Sequence, residues 1–137
     1  MPTGSCFCGN IKVEYSGEPA STALCHCADC RKMSGGLYSY NVLVPSANFK
    51  VTAGTPKEIS KIADSGKPIT NCFCPDCGTT LFRYGDSFGG VDGLRIIKAG
   101  ILDDVDVINH LKPGAELFTS RRIKWVASLD GAAQLSS

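Results

Sequence analysis

No apolar run in this sequence approaches the roughly 18–20 residues needed to cross a bilayer, so a membrane-spanning helix is not expected. The opening residues Met-Pro-Thr-Gly-Ser-Cys offer neither a charged leader region nor an apolar one. A signal peptide is therefore not expected, and a cytoplasmic setting is. An excess of one charge is missing too. Fourteen Lys and Arg against 13 Asp and Glu leave a net charge of +1. The basic pairs Arg31-Lys32 and Arg121-Arg122 fall far short of a polybasic tract. Neither nucleic acid nor a membrane surface is an expected partner. Helix-period patterning never extends beyond two or three turns. Linkers, low-complexity segments and repeats of 20–50 residues are likewise lacking.

What remains is an ordinary globular composition, 43% apolar and 20% charged over 137 residues, expected to fold as one domain spanning 1–137. Short segments carry strand patterns. Residues 10–16 alternate, placing Ile11, Val13 and Tyr15 on one face. Leu37–Val44 is rich in aromatic and β-branched residues, and Phe49 and Val51 point inward from 48–52. Residues 57–63 and 69–73 flank Asp-Ser-Gly-Lys-Pro as a hairpin. Further strands are expected at 79–84, 94–99 and 121–127, the last with Ile123 and Trp125 on a common side. Residues 105–111 read as either strand or loop, and about 130–137 as a frayed tail. A short helical turn over 28–33 ends at Gly35-Gly36. The expected class is mainly β, a sandwich or small barrel.

Eight cysteines are the chemical signal. In a cytoplasmic protein they are more often metal ligands than disulfides. They fall into Cys6/Cys8, Cys25/Cys27/Cys30 and Cys72/Cys74/Cys77. Cys-x-x-Cys at 27/30 and 74/77 has the spacing of a knuckle, in which a tight turn aims two sulfurs at one Zn²⁺. In Cys74-Pro-Asp-Cys77-Gly78 the proline presets that turn, and the glycine permits the left-handed residue after it. A structural zinc wants four ligands, and Cys6/Cys8 is the unclaimed pair that would complete the set with Cys74 and Cys77. That leaves Cys25, Cys27 and Cys30, and three thiolates with a vacancy describe a catalytic zinc. Cys72 could fill the vacancy, which would close the site. His26, between two ligands, is either a hydrogen-bonded orienting group or a general acid–base beside the open position.

Gly4-Ser-Cys6-Phe-Cys8-Gly9, Cys25-His-Cys27-Ala-Asp-Cys30-Arg31-Lys32, Phe73-Cys74-Pro-Asp-Cys77-Gly78 with Leu81, Gly100-Ile-Leu102-Asp103-Asp104 and Arg122-Ile-Lys-Trp125 together resemble the glutathione-dependent formaldehyde-activating enzyme family (the CENP-V/GFA domain). The resemblance spans nearly the whole chain. It implies an Mss4-like fold of folded sheets, tent- or sandwich-like, with short helical turns and zinc knuckles. It implies two Zn²⁺ per chain, a structural one on Cys6, Cys8, Cys74 and Cys77 and a catalytic one on Cys25, Cys27 and Cys30. It assigns Cys72 no role. The implied activity is that of a carbon–sulfur lyase, acting on an adduct of a small thiol such as glutathione with an aldehyde such as formaldehyde.

Chemically, a zinc with three thiolates suits the capture of a substrate thiol better than the making of hydroxide. His26 would be a proton relay. Arg31 is the first candidate to meet glutathione carboxylates, followed by Lys32, Arg83, Arg121 and Arg122, although a solvated surface charge is the commoner fate of each. Tyr38, Tyr40, Phe82 and Trp125 could line a pocket, with core packing the commoner use. The competing expectations are a non-catalytic zinc-binding interaction module and a zinc lyase with another small-molecule substrate.

Overall fold

Two β-sheets set the frame of the computed structural model, which describes residues 1–137. β1 (Thr3–Ser5) pairs with β2 (Lys12–Tyr15), and β5 (Phe49–Ala53) adds to the other side of β2 as a small three-stranded sheet. The second sheet has eight strands: β3 (Ser21–Cys25), β4 (Ser39–Pro45), β6 (Lys57–Ile62), β7 (Pro68–Phe73), β8 (Thr80–Gly85), β9 (Leu94–Lys98), β10 (Ala115–Leu117) and β11 (Ala133–Gln134). Their spatial order is β11-β10-β3-β4-β9-β8-β7-β6, with β10 running parallel to both of its neighbours. Two short helices complete the chain, α1 (Ala28–Ser34) and α2 (Val105–His110).

The core lies between the sheets. The alternation read in β2 buries Ile11, Val13 and Tyr15 against Val42 and Val44 of β4, Leu81 and Phe82 of β8, and Ile97 of β9. Period-2 patterning puts every second residue of a strand on the core face, which is why β2 buries this set and exposes Lys12. Phe82 also meets Phe49 of β5 edge-on, with ring centroids 4.7 Å apart. The mainly β architecture and the 57–73 hairpin are as the sequence pattern has them. No helix is long and apolar enough to cross a membrane.

Three local expectations need correction, and one strand has no pattern that announces it. Residues 105–111 are neither strand nor loop. Asp104 caps a helix there, its carboxylate accepting from the Asp106 N–H at 2.9 Å. Residues 121–127 form no strand, and Trp125 is 77% exposed, lining nothing. After β10 the chain turns through Thr119–Arg121, and residues 121–127 pair with no strand. The tail at 130–137 is not frayed. β11 pairs with β10, the Leu135 N–H donates to Glu116 O at 2.9 Å, and the Thr119 N–H donates to Leu135 O at 3.0 Å. Finally β3, which delivers Cys25 to its place, carries no strong strand signal in Ser-Thr-Ala-Leu-Cys. It forms because β4 and β10 supply ladders on both of its sides.

Candidate functional site

Two sets of sulfurs converge. The Sγ atoms of Cys6, Cys8, Cys74 and Cys77 all lie within 4.8 Å of one another, as do those of Cys25, Cys27 and Cys30. None of the eight cysteines is in a disulfide. In the first set Cys6 and Cys8 are 3.6 Å apart, and Cys8 and Cys74 are 3.7 Å apart. A tetrahedron with sulfurs about 2.3 Å from a zinc has edges of about 3.8 Å, so the set fits that ion. Backbone donors already face the sulfurs: Ile11 N–H to Cys6 Sγ at 3.3 Å and Cys77 N–H to Cys74 Sγ at 3.5 Å. Thr79 lies 3.2 Å from Cys77 Sγ and holds that thiol well below its usual range, at about 5. Gly78 adopts the left-handed φ of 78° its position requires and returns its N–H to Cys74 O at 2.9 Å.

The second set is built at the junction of β3 and α1. Cys25 ends β3 opposite Ser39 of β4. Cys27 caps α1, its sulfur accepting from the Cys30 N–H at 3.4 Å, and Gly35 closes the helix at φ 67°. The donor set, three thiols on one loop-and-helix turn, again suits zinc. Cys72 does not join them. Its fully buried thiol faces Glu58 at 3.8 Å, and burial followed by that carboxylate pushes it up to about 12.

The trio's protons are unequally shared. Hydrogen bonds from the Cys25 and Cys27 thiols push Cys30 well down despite its burial, with Lys98 adding a favourable field, while Cys25 is pushed up by Cys27 and Cys30.

The trio opens on a cavity of about 230 Å³ at the meeting of β3, β4, β7, β9 and β10. Ala23, Leu43, Ile69, Ile96, Leu117 and Phe118 give it apolar walls. Its cations are Arg83, Lys98 and Lys67. Arg83 is only 8% exposed, with Nη1 3.9 Å from Cys30 Sγ. Lys98 Nζ donates to Asn41 Oδ1 at 2.7 Å, and Asn41 is pinned by its amide to Ala23 O at 3.2 Å and Ser39 Oγ at 2.9 Å. Burial lowers the Lys98 ammonium to about 8, against the pull of Cys30. Sequence patterning gave no sign of Lys98, whose strand reads simply as Leu-Arg-Ile-Ile-Lys.

Phe118 is the only non-glycine residue with positive φ, at 53°. That conformation costs an L-residue roughly 1–2 kcal/mol.

Arg31 and Lys32 are not among the residues lining this cavity. Arg121 pairs with Asp64 at 3.1 Å, and Arg122 pairs with Glu116 at 3.1 Å. Tyr40 packs against the core and donates to Leu111 O.

His26 has a fully buried side chain that turns from the sulfurs to Glu116, with Nε2 2.7 Å from Oε1. Because the partner is a carboxylate, Nε2 is the donor. The His26 N–H donates to Leu117 O at 3.0 Å. Both contacts fasten the cysteine loop to β10, His26 Nδ1 is buried without a hydrogen-bond partner, and His26 is not among the residues lining the cavity. Glu116, itself buried, was not visible in the sequence. Burial resists its ionisation, yet the Leu129 N–H, Gln134, His26 and Arg122 hold the carboxyl at about 2.

Residues 1–121 match the family model described as glutathione-dependent formaldehyde-activating enzyme. A Penicillium rubens protein is 34% identical over 101 residues, covering 72% of this chain and 52% of its own. A Podospora anserina protein is 30% identical over 104 residues, covering 74% and 48% respectively. Both are named, provisionally, as glutathione-dependent formaldehyde-activating enzymes, and the chain spans about half the length of the relatives it matches. A Rhodobacter sphaeroides protein of known crystal structure shares the fold, with a TM-score of 0.62 at 17% identity, over 81% of this chain and 96% of that one. With its family pattern running through both cysteine sets, the chain belongs to the glutathione-dependent formaldehyde-activating enzyme family.

Proposed function

We propose that the protein is a zinc-dependent carbon–sulfur lyase, forming or cleaving a thiol–aldehyde adduct at Cys25, Cys27 and Cys30. One observation carries the reading: three sulfurs converge at a cavity, and Cys72, the one thiol outside both sets, is turned to Glu58. Zinc held there would lower the pKa of an incoming thiol and present its sulfur as a nucleophile. A second zinc on Cys6, Cys8, Cys74 and Cys77 would be structural, and the Mss4-like assignment of the fold goes with this two-zinc reading.

The reaction balances without any oxidant. The thiol sulfur bonds to the carbonyl carbon, the carbonyl π pair moves to oxygen, and the thiol proton ends on that oxygen. Cleavage is the reverse. Charge therefore develops on the oxygen, and Lys98 and Arg83 are the donors placed to meet it. Asn41 orients Lys98, and His26 with Glu116 orients the ligand loop, acting as positioning residues. Glutathione and formaldehyde are the reactants the relatives' names suggest. For a peptide thiol, the polar rim of Ser65, Lys67 and Ser87 is the side that suits its body.

The test is Cys27→Ser in zinc-replete protein, assayed with glutathione and formaldehyde. The expected result is lost turnover with the melting temperature kept. Full activity in this variant would remove the assignment.

A further inference from the structure

The cavity beside the cysteine trio is larger and more apolar than a one-carbon aldehyde requires. At about 230 Å³ it exceeds the roughly 150 Å³ apolar cavity that holds a benzene molecule. Formaldehyde contributes one carbon and one oxygen, and both belong at the sulfur and cation end. There Arg83 Nη1 lies 3.9 Å from Cys30 Sγ. The tripeptide thiol's carboxylates and ammonium have charged partners in Lys67 and Asp64 of the lining, which leaves the walls of Leu43, Ile69, Ile96 and Leu117 with no group of that thiol to cover them. The wall also contains Phe118, held in the left-handed region at φ 53°. Strained non-glycine backbone persists where the surrounding structure insists on it, and it gathers at ligand sites. Here the residue so held is an aromatic lining the cavity.

We infer that one of the two reactants carries an apolar arm of about four to six carbons, seated against Leu43, Ile69, Ile96, Leu117 and Phe118. This deepens the thiol–aldehyde reading and rests on it. The arm belongs to the aldehyde or to the thiol, and either source offers the walls the same alkyl or aryl surface. Each methylene moved from water to such a wall multiplies affinity by roughly four.

The experiment uses zinc-loaded protein and two homologous series. One pairs glutathione with straight-chain aldehydes from ethanal to hexanal. The other pairs formaldehyde with alkanethiols from ethanethiol to hexanethiol, whose binding is also measured by calorimetry. We expect kcat/KM to climb about fourfold per carbon in one series and then level off as the cavity fills. The series that climbs identifies the reactant bearing the arm. If the alkanethiols are the series, their Kd falls in step. Flat or falling profiles in both series overturn the inference, even where glutathione with formaldehyde is turned over and the lyase reading stands. No turnover and no thiol binding with any pair overturns both.

Phe118→Gly removes the ring and relieves the backbone. It should melt no lower than the parent and lose most of the chain-length dependence. A dependence unchanged in Phe118→Gly counts against the inference. Leu43→Ala, which needs no change of backbone, should move the preferred chain length up by one or two carbons, and an unmoved optimum again counts against it.

Discussion

The two cysteine sets differ less in chemistry than in what they connect. Cys6 and Cys8 precede β2, while Cys74 and Cys77 lie between β7 and β8, so the first set draws the small sheet and the large sheet together across more than 60 residues of chain. Cys25, Cys27 and Cys30 come from a single junction, and the trio joins almost nothing that β3 and α1 had not already joined. Closing a long loop around a metal stabilises the fold more than closing a six-residue one, whose sulfurs can gather on the ion in the unfolded chain too. The trio instead borrows its rigidity. His26 reaches Glu116, Asn41 holds Lys98, and β10 is inserted beside β3. The long-range set connects the two sheets, and the local set lines a cavity.

The sharpest way to break this comparison is Cys74→Ser. Structural zinc sites in small domains supply about 10–16 kcal/mol of apparent folding energy, so this variant is expected to lose its cooperative melt. A normal melting curve would erase the distinction between the two sets. Staged chelation refines the same point. The trio's zinc should leave first with the circular dichroism unchanged, and the second only as the chain unfolds.

Glu116→Ala tests whether the trio leans on β10. Leaving His26 and Arg122 without their buried carboxylate is expected to cost about 3–5 kcal/mol. It should also release the tail that Gln134 anchors, read as faster amide exchange at residues 129–135. The pH dependence has a defined sign. The Glu116 carboxyl sits at about 2 in the fold against an ordinary 4.5. Its contribution is therefore complete above about 4.5 and drains away as the pH falls toward about 2. Glu116→Gln should lack that part of the acid slope, visible as the difference between its melting temperatures and the parent's across that pH range.

Lys98→Met addresses the reacting end of the cavity. Removing one donor from a developing oxyanion lowers turnover by about a hundredfold, and stability should hold because an apolar side chain suits the site. Unchanged turnover would restrict Lys98 to balancing the charge of the sulfurs. The smallest effect is expected at Trp125, which is exposed and belongs to neither cysteine set nor the cavity lining: Trp125→Ser should shift stability by no more than about 0.5 kcal/mol.

Local chemistry was legible where a residue's neighbours in sequence are also its neighbours in space. The alternation of Ile11, Val13 and Tyr15, the helix stop at Gly35 and the turn at Pro75 and Gly78 all act within a few residues, and each is found as read. Misreadings and omissions fall where pairing partners are distant. Ser21–Cys25 is a strand because β4 and β10 flank it, and Ala133–Gln134 is ordered because β10 offers an edge. Trp125 has an apolar side chain and a plausible strand pattern, yet no layer covers it.

By itself, then, the sequence determined which atoms can hold metal and how they divide, since knuckle spacing is a property of a few consecutive bonds. Tertiary structure alone decided that Cys72 stays apart, that Glu116 answers His26 from 90 residues away, and that Lys98 and Phe118 share a cavity with the trio. Those outcomes depend on which strands lie side by side. Strand order is fixed by the packing of the whole core, and no single segment encodes it.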